Sequence, residues 1–137
     1  MAEGVPHIRS VVVERDIAFP PEKIWRALTQ PHLIADWLLP ADDFSLDIGN
    51  RFAFRQSWGN IDCEVRTVEP NRTLAYTWAA FGLESTVTWT LTPIGNGTRL
   101  RMEQRGFRPE HDEAVRGATY AWPAYFTALE KTLSRDA

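Results

Sequence analysis

Pro20, Pro21, Pro31 and Pro40 cut one short stretch of the chain into two segments, each long enough for only a short helix. Proline suits a first helical turn, because the amide hydrogen it lacks would have no intrahelical partner there. Pro21 therefore fits the start of one helix and Pro31 the start of the next. Ile24, Trp25 and Leu28 fall on one side of the first at i, i+1 and i+4, and Leu33, Ile34 and Trp37 repeat that spacing in the second. A pair of short helices set between strands is uncommon, and it restricts the fold more than the composition does.

The surrounding sequence reads as strands. Ile8 to Phe19 predicts a first strand, with Val11, Val13, Ile17 and Phe19 in one phase. Arg15 falls in that apolar phase, which leaves two readings open: a bulge that turns it outward, or a buried charge able to hold a carboxylate or phosphate. From Phe44 to Arg105 apolar and polar residues alternate, with turn residues between the runs. The inward sets are Phe44, Leu46 and Ile48; Phe52, Phe54, Gln56 and Trp58; Ile61, Cys63 and Val65; Leu74, Tyr76 and Trp78; Val87, Trp89 and Leu91; and Leu100 and Met102. Turns are expected at Gly49-Asn50, Gly59-Asn60, Pro70-Asn71, Gly82 and Gly95-Asn96-Gly97. Short loops between alternating strands mean an antiparallel meander with one apolar and one solvated face.

Pro109 to about Ser134 has helical spacing at Val115, Thr119, Trp122, Phe126, Leu129 and Leu133. Glu110, Asp112 and Glu113 suit its N-terminal dipole, and Pro123 interrupts it by removing the bond to the Thr119 carbonyl. The expected fold is an α+β helix-grip: a curved antiparallel sheet of about six to seven strands wrapped around a long C-terminal helix, with two short helices after the first strand. Its 137 residues are expected to form one domain, with a core from about residue 8 to residue 134.

Charge and composition narrow the function classes. The net charge of −3 carries no basic stripe, so neither nucleic acid nor an anionic membrane surface is an expected partner. No apolar run approaches a membrane span and no signal peptide is visible, which makes a cytoplasmic protein the expectation. His7, His32 and His111 show no metal-ligand spacing, and no glycine-rich loop opens a helix, so no metal or nucleotide cofactor is expected. Cys63 stands alone on an apolar face and reads as a small core residue.

Several motifs carry a family resemblance. They are Pro20-Pro21-Glu22-Lys23-Ile24-Trp25-Arg26-Ala27-Leu28-Thr29 with Trp37 and Pro40, the glycine turn Ile48-Gly49-Asn50-Arg51-Phe52, and Glu69-Pro70-Asn71-Arg72-Thr73-Leu74-Ala75-Tyr76-Thr77-Trp78. Val87-Thr88-Trp89-Thr90-Leu91 and Gly97-Thr98-Arg99-Leu100 complete the set. In this order they resemble the START-related helix-grip superfamily (SRPBCC), and within it the stand-alone branch named after the activator of the ninety-kilodalton heat-shock-protein ATPase. The chain departs from that branch at Leu38, where many relatives carry a second tryptophan, and at Trp122-Pro123, which replaces the usual glycine-tryptophan. The superfamily spans lipid and hormone carriers, polyketide cyclases and co-chaperones, so the resemblance implies a fold before a function.

The resemblance implies that the space between sheet and helix is either a solid core or a cavity. If a cavity, Phe54, Gln56, Trp58, Cys63, Tyr76, Trp78, Trp89, Met102, Gln104, Trp122 and Phe126 are its candidate ligand-binding residues. The indoles make broad apolar walls, and Gln56 and Gln104 interrupt the inward phase where they either pair or orient a ligand. Trp25 and Trp37 read as packing residues, and Phe81 and Leu83 as a loop that either closes a cavity mouth, meets a partner subunit or packs under the helix.

Three functions follow in order. The first is binding of a small hydrophobic molecule, aromatic or lipid-like. The second is an enzyme on the same cavity, a cyclase, dehydratase or hydrolase. It ranks lower because the inward phase offers no carboxylate or histidine, and finding one in the cavity would reverse the order. The third is a co-chaperone-like interaction domain, as the family name implies. A homodimer through the sheet's outer face or edge is compatible with all three.

Overall fold

The computed structural model describes residues 8–135. His7 lies outside them. In chain order the elements are β1 (Arg9–Ile17), α1 (Pro21–Thr29), α2 (Pro31–Trp37), β2 (Ala41–Asp42), β3 (Arg51–Gln56), β4 (Gly59–Glu69), β5 (Thr73–Ala80), β6 (Leu83–Ile94) and β7 (Gly97–Phe107). A 3-10 turn (Pro109–His111) then leads into α3 (Asp112–Arg135). The seven strands form one antiparallel sheet in the order β1-β7-β6-β5-β4-β3-β2. It is an α+β helix-grip.

That order explains the proline-punctuated pair. β1 and β2 follow one another in sequence, apart from α1 and α2, yet occupy opposite edges of the sheet. The two helices carry the chain across the sheet's width. Gln30 serves both of them: its amide donates to the Arg26 carbonyl to end α1, and its carbonyl accepts from Leu33 and Ile34 to start α2. Trp37 then fastens the pair, donating its indole N–H to the Ala27 carbonyl at 2.8 Å. The predicted apolar stripes, Ile24, Trp25 and Leu28 with Leu33, Ile34 and Trp37, are all buried.

Three sequence expectations change. Phe44 to Ile48 is a loop, not a strand, despite its alternation. The place beside β3 belongs to the two-residue β2, which pairs Ala41 with Phe54 and Asp42 with Ala53. Asp43 leaves that pairing at a φ of 65°, so the next residues have no strand partner, and Ile48 is exposed. The β3–β4 turn is Ser57-Trp58, since Gln56 already pairs with Gly59. Thr119 is exposed and donates to the Val115 carbonyl, not buried on the helix stripe.

Arg15 resolves to the inward reading. Its pairing with Leu100 is regular, and the register shift in β1 falls between Arg9 and Ser10 instead. The side chain reaches across to α3, where the guanidinium donates to Glu130 at 3.0 Å, Thr127 at 3.1 Å and the Pro123 carbonyl at 3.1 Å. The carboxylate it holds is therefore one of the protein's own. On the outer face, Arg99 donates to Asp16 at 2.9 Å and this bond holds the carboxyl below its ordinary range. Such exposed pairs add little to stability.

Gly106 marks the place where β7 shifts register against β1. It lies between Arg105, opposite Ser10, and Phe107, opposite Arg9, as the extra residue of a bulge. Its φ of 133° disfavours any side chain, and a Cβ there would meet the Glu84 carbonyl oxygen at 2.6 Å. Gly106→Ala is expected to lower unfolding stability by at least about 2 kcal/mol in chemical denaturation. An unchanged midpoint would show that the bulge relaxes freely.

Candidate functional site

α3 covers the concave face of the sheet with two unlike halves. Toward its C-terminus it presents Phe126, Leu129 and Leu133, all essentially inaccessible. Toward its N-terminus it presents Ala114, Gly117, Ala118 and Ala121. Ala114, Ala118, Ala121 and Tyr125 stand at i, i+4, i+7 and i+11, one helical face. Large residues fill the grip at one end, and small ones leave a cavity of about 410 Å³ at the other.

The cavity lies beneath the β3–β4 and β5–β6 hairpin tips. The sheet contributes Gln56, Ile61, Trp78, Ala80, Leu83, Gln104 and Phe107, the tips add Trp58 and Phe81, the 3-10 turn adds His111, and the middle of α3 adds Trp122 and Tyr125. Trp78 and Trp122 meet at 5.2 Å between ring centroids and form the floor. Phe54 backs Trp78 from below at 5.3 Å, and Trp89 backs Trp122 at 5.7 Å.

Of the eleven sequence candidates, five line this cavity: Gln56, Trp58, Trp78, Gln104 and Trp122. The other six, Phe54, Cys63, Tyr76, Trp89, Met102 and Phe126, are buried in solid core. The reason is position along the strand. Phe54, Cys63, Tyr76 and Met102 each sit two residues from a wall residue, namely Gln56, Ile61, Trp78 and Gln104, and Phe126 sits one helical turn beyond Trp122. The phase is the same, but the row is one deeper. In that deeper row Trp89 packs against Trp37, Trp122 and Phe126 and donates its indole N–H to Tyr76 at 3.0 Å. Burial pushes the Tyr76 hydroxyl upward, with that bond opposing it. Burial, reinforced by the Asp62 charge, likewise pushes the Cys63 thiol up, so no thiolate is available at neutral pH.

Gln104 is a strut. Its carbonyl oxygen accepts from the Trp122 indole at 2.8 Å, and its amide donates to Ser85 at 3.0 Å. Ser85 in turn donates to the Trp78 carbonyl at 2.8 Å. Every buried side-chain polar atom among the described residues has a partner. Ser85 had no sequence signal beyond its phase, which it shares with Leu83 and Val87.

Gln56 faces the Tyr125 hydroxyl, which burial raises and the Gln56 contact lowers, with a net upward shift. His111 is the one histidine on the wall. Its Nδ1 accepts the Arg108 amide at 3.0 Å. An accepting ring nitrogen carries no proton, so the neutral imidazole holds its proton on Nε2 and offers a donor. His32 is exposed on α2. Among the described residues no three His, Cys, Asp or Glu side chains gather as metal ligands.

At the mouth, Trp58 and Phe81 stack with centroids 4.5 Å apart. Trp58 is 48% exposed and Phe81 82% exposed. Phe81 and Gly82 have φ values of 51° and 77°, both positive, as a two-residue hairpin turn of the I′ type requires. Glycine meets that requirement freely, whereas a bulky residue such as phenylalanine is an outlier there. Leu83, beside it, is buried.

These features have relatives. A family model described as activator of Hsp90 ATPase homolog 1-like protein matches residues 18–134. The chain belongs to that family. No curated protein matches it. Among solved structures, protein MLL2253 of Mesorhizobium loti is 54% identical, with a TM-score of 0.90 over 94% of this chain and 99% of that one. DynU16, described as a putative protein in the dynemicin biosynthetic locus, is 26% identical with a TM-score of 0.81, over 91% of this family member and 47% of its own chain. The Aha1 dimer of Colwellia psychrerythraea is 22% identical with a TM-score of 0.78, over 91% and 96% of the two chains, and shows the shared fold alone. No helix among the described residues of this family member is long and apolar enough to cross a membrane.

The hollow half of α3 gives a direct test. A Cβ added at Gly117 meets no atom within 4 Å. Gly117→Ala is expected to raise stability by about 1 kcal/mol, the helix-interior difference between the two residues, in thermal or chemical denaturation. A loss of stability would mean that α3 packs more closely over the sheet there.

Proposed function

We propose that this family member binds a small hydrophobic molecule, aromatic or lipid-like, in the cavity between the sheet and the first half of α3. The observation that carries this reading is the change of residue size along α3, from Phe126, Leu129 and Leu133 over solid core to Ala114, Gly117, Ala118 and Ala121 over open space. A volume of about 410 Å³ lies within the range of small-molecule sites, and aromatic walls with a few polar groups are what such sites use. Burial of ligand surface would supply the affinity, at roughly 25 cal/mol per Å² before ordering costs.

A second reading, catalysis in the same cavity, is favoured by one observation: His111 stands on the wall. A histidine there meets the condition set by the sequence for ranking an enzyme first. The ranking stays because of what the ring offers. Its basic nitrogen is engaged by the Arg108 amide, leaving Nε2–H as a donor, and among the described residues no carboxylate lines the cavity as a base. For a self-associated or chaperone-bound state, the outer face offers the ion pairs of Arg51 and Arg66 with Glu64 and of Arg101 with Glu103, as on a solvated sheet.

Trp58, Trp78 and Trp122 make intrinsic fluorescence the natural readout. Titration with a panel of apolar ligands is expected to give a saturable quench or shift with at least one of them. A flat response across the panel would contradict the proposal. Phe81→Asn separates binding from folding. Asparagine accepts positive φ more readily, so the variant should hold or gain up to about 1 kcal/mol of stability. It should also bind more weakly through loss of the aromatic mouth. Unchanged affinity would remove Phe81 from the site.

A further inference from the structure

Among the described residues, the lining of the cavity contains no aspartate, glutamate, lysine or arginine. Two arginines that reach α3 from β1 are committed elsewhere. Arg15 is held by Glu130, Thr127 and the Pro123 carbonyl beneath the filled half, and Arg9 is paired with Asp112 at 2.8 Å. A charged ligand group would lose its hydration inside this cavity and find no countercharge, which is the costly case for burial. A flat ring system, by contrast, meets indole faces at Trp78 and Trp122 and the stacked pair Trp58 and Phe81 at the mouth.

The polar groups on the wall add a direction. Gln104 has its carbonyl taken by Trp122, and its amide donates to Ser85. His111 differs: with Nδ1 occupied by the Arg108 amide, Nε2–H is left as a donor with no acceptor among the described residues. A donor on an apolar wall favours a ligand that brings an acceptor, and an uncharged donor matches an uncharged acceptor.

We infer that the cavity selects uncharged, flat aromatic molecules bearing a carbonyl oxygen, which accepts from Nε2 of His111, over fatty acids and aromatic carboxylates. This rests on the binding reading above and narrows it. The oxygen lies in the plane of its ring system, so the aromatic walls that grip the rings also aim the acceptor.

The test is equilibrium dialysis of the full chain at neutral pH against 2-acetylnaphthalene, naphthalene, 2-naphthoate and decanoate. The expected result is that 2-acetylnaphthalene binds at least about tenfold more tightly than either carboxylate, the penalty of an unpaired buried charge. Equal or tighter binding of 2-naphthoate or decanoate overturns the inference while leaving a binding cavity in place. Binding of none of the four would count against the cavity reading itself. His111→Asn supplies the second arm, because the Asn carbonyl can still accept the Arg108 amide while its NH2 donor ends one bond short of the position of Nε2. Affinity for 2-acetylnaphthalene should fall about three- to tenfold, the size of one neutral hydrogen bond, with naphthalene unaffected. Equal losses for both probes, or no loss for either, would assign His111 a structural role only.

Discussion

The hydrogen bond from the Trp122 indole to Gln104 sets the boundary on which the rest depends. It joins the middle of α3 to β7 in the interior, where an unpartnered polar group costs roughly 1–3 kcal/mol. Turning the helix about its axis would break this bond and strand both groups. The helix is therefore held with one face toward the sheet, and the residues of that face decide what lies beneath. Beyond Trp122 they are Phe126, Leu129 and Leu133, and the grip is full. Before it they are alanines and a glycine, and the grip is open.

An open end is a standing cost to the fold. Packed interiors gain dispersion and burial from each filled position, and the cavity forgoes both. The mouth adds a second cost, a phenylalanine at positive φ with most of its ring in water. Two local costs met at one place, an unfilled interior and a strained aromatic at its mouth, are the pattern expected of a functional site. Elsewhere the structure is consistent: Gln30 caps two helices at once, and every buried side-chain polar atom among the described residues is paired.

The helix-grip architecture was legible because its signals are local. Period-two alternation located β3 to β7, and the prolines located α1 and α2. The same local signal misled at Phe44 to Ile48, where alternation occurs without a neighbouring strand to pair with. It also set the β3–β4 turn two residues late, at Gly59-Asn60 and not Ser57-Trp58. The cavity was half legible. Alternation tells inward from outward but not one inward row from the next, so Gln56 and Phe54, or Gln104 and Met102, looked alike. Which row faces a hole depends on the residues opposite on α3, and that register between helix and sheet is tertiary. The signal that marks the hollow half is the helical spacing of Ala114, Ala118, Ala121 and Tyr125, which is faint in a sequence because small residues suit an exposed helix face as well as a hollow one.

The central claim is that α3 covers a real void in its first half, and that ligands occupy this void. Ala118→Leu tests both parts in one variant, by thermal melting and by dialysis against 2-acetylnaphthalene. The account predicts a melting temperature equal to or above that of the parent chain, because the added side chain enters open space, together with loss of ligand binding. A markedly lower melting temperature, as from overpacking, or full-strength binding with the void filled, would contradict it.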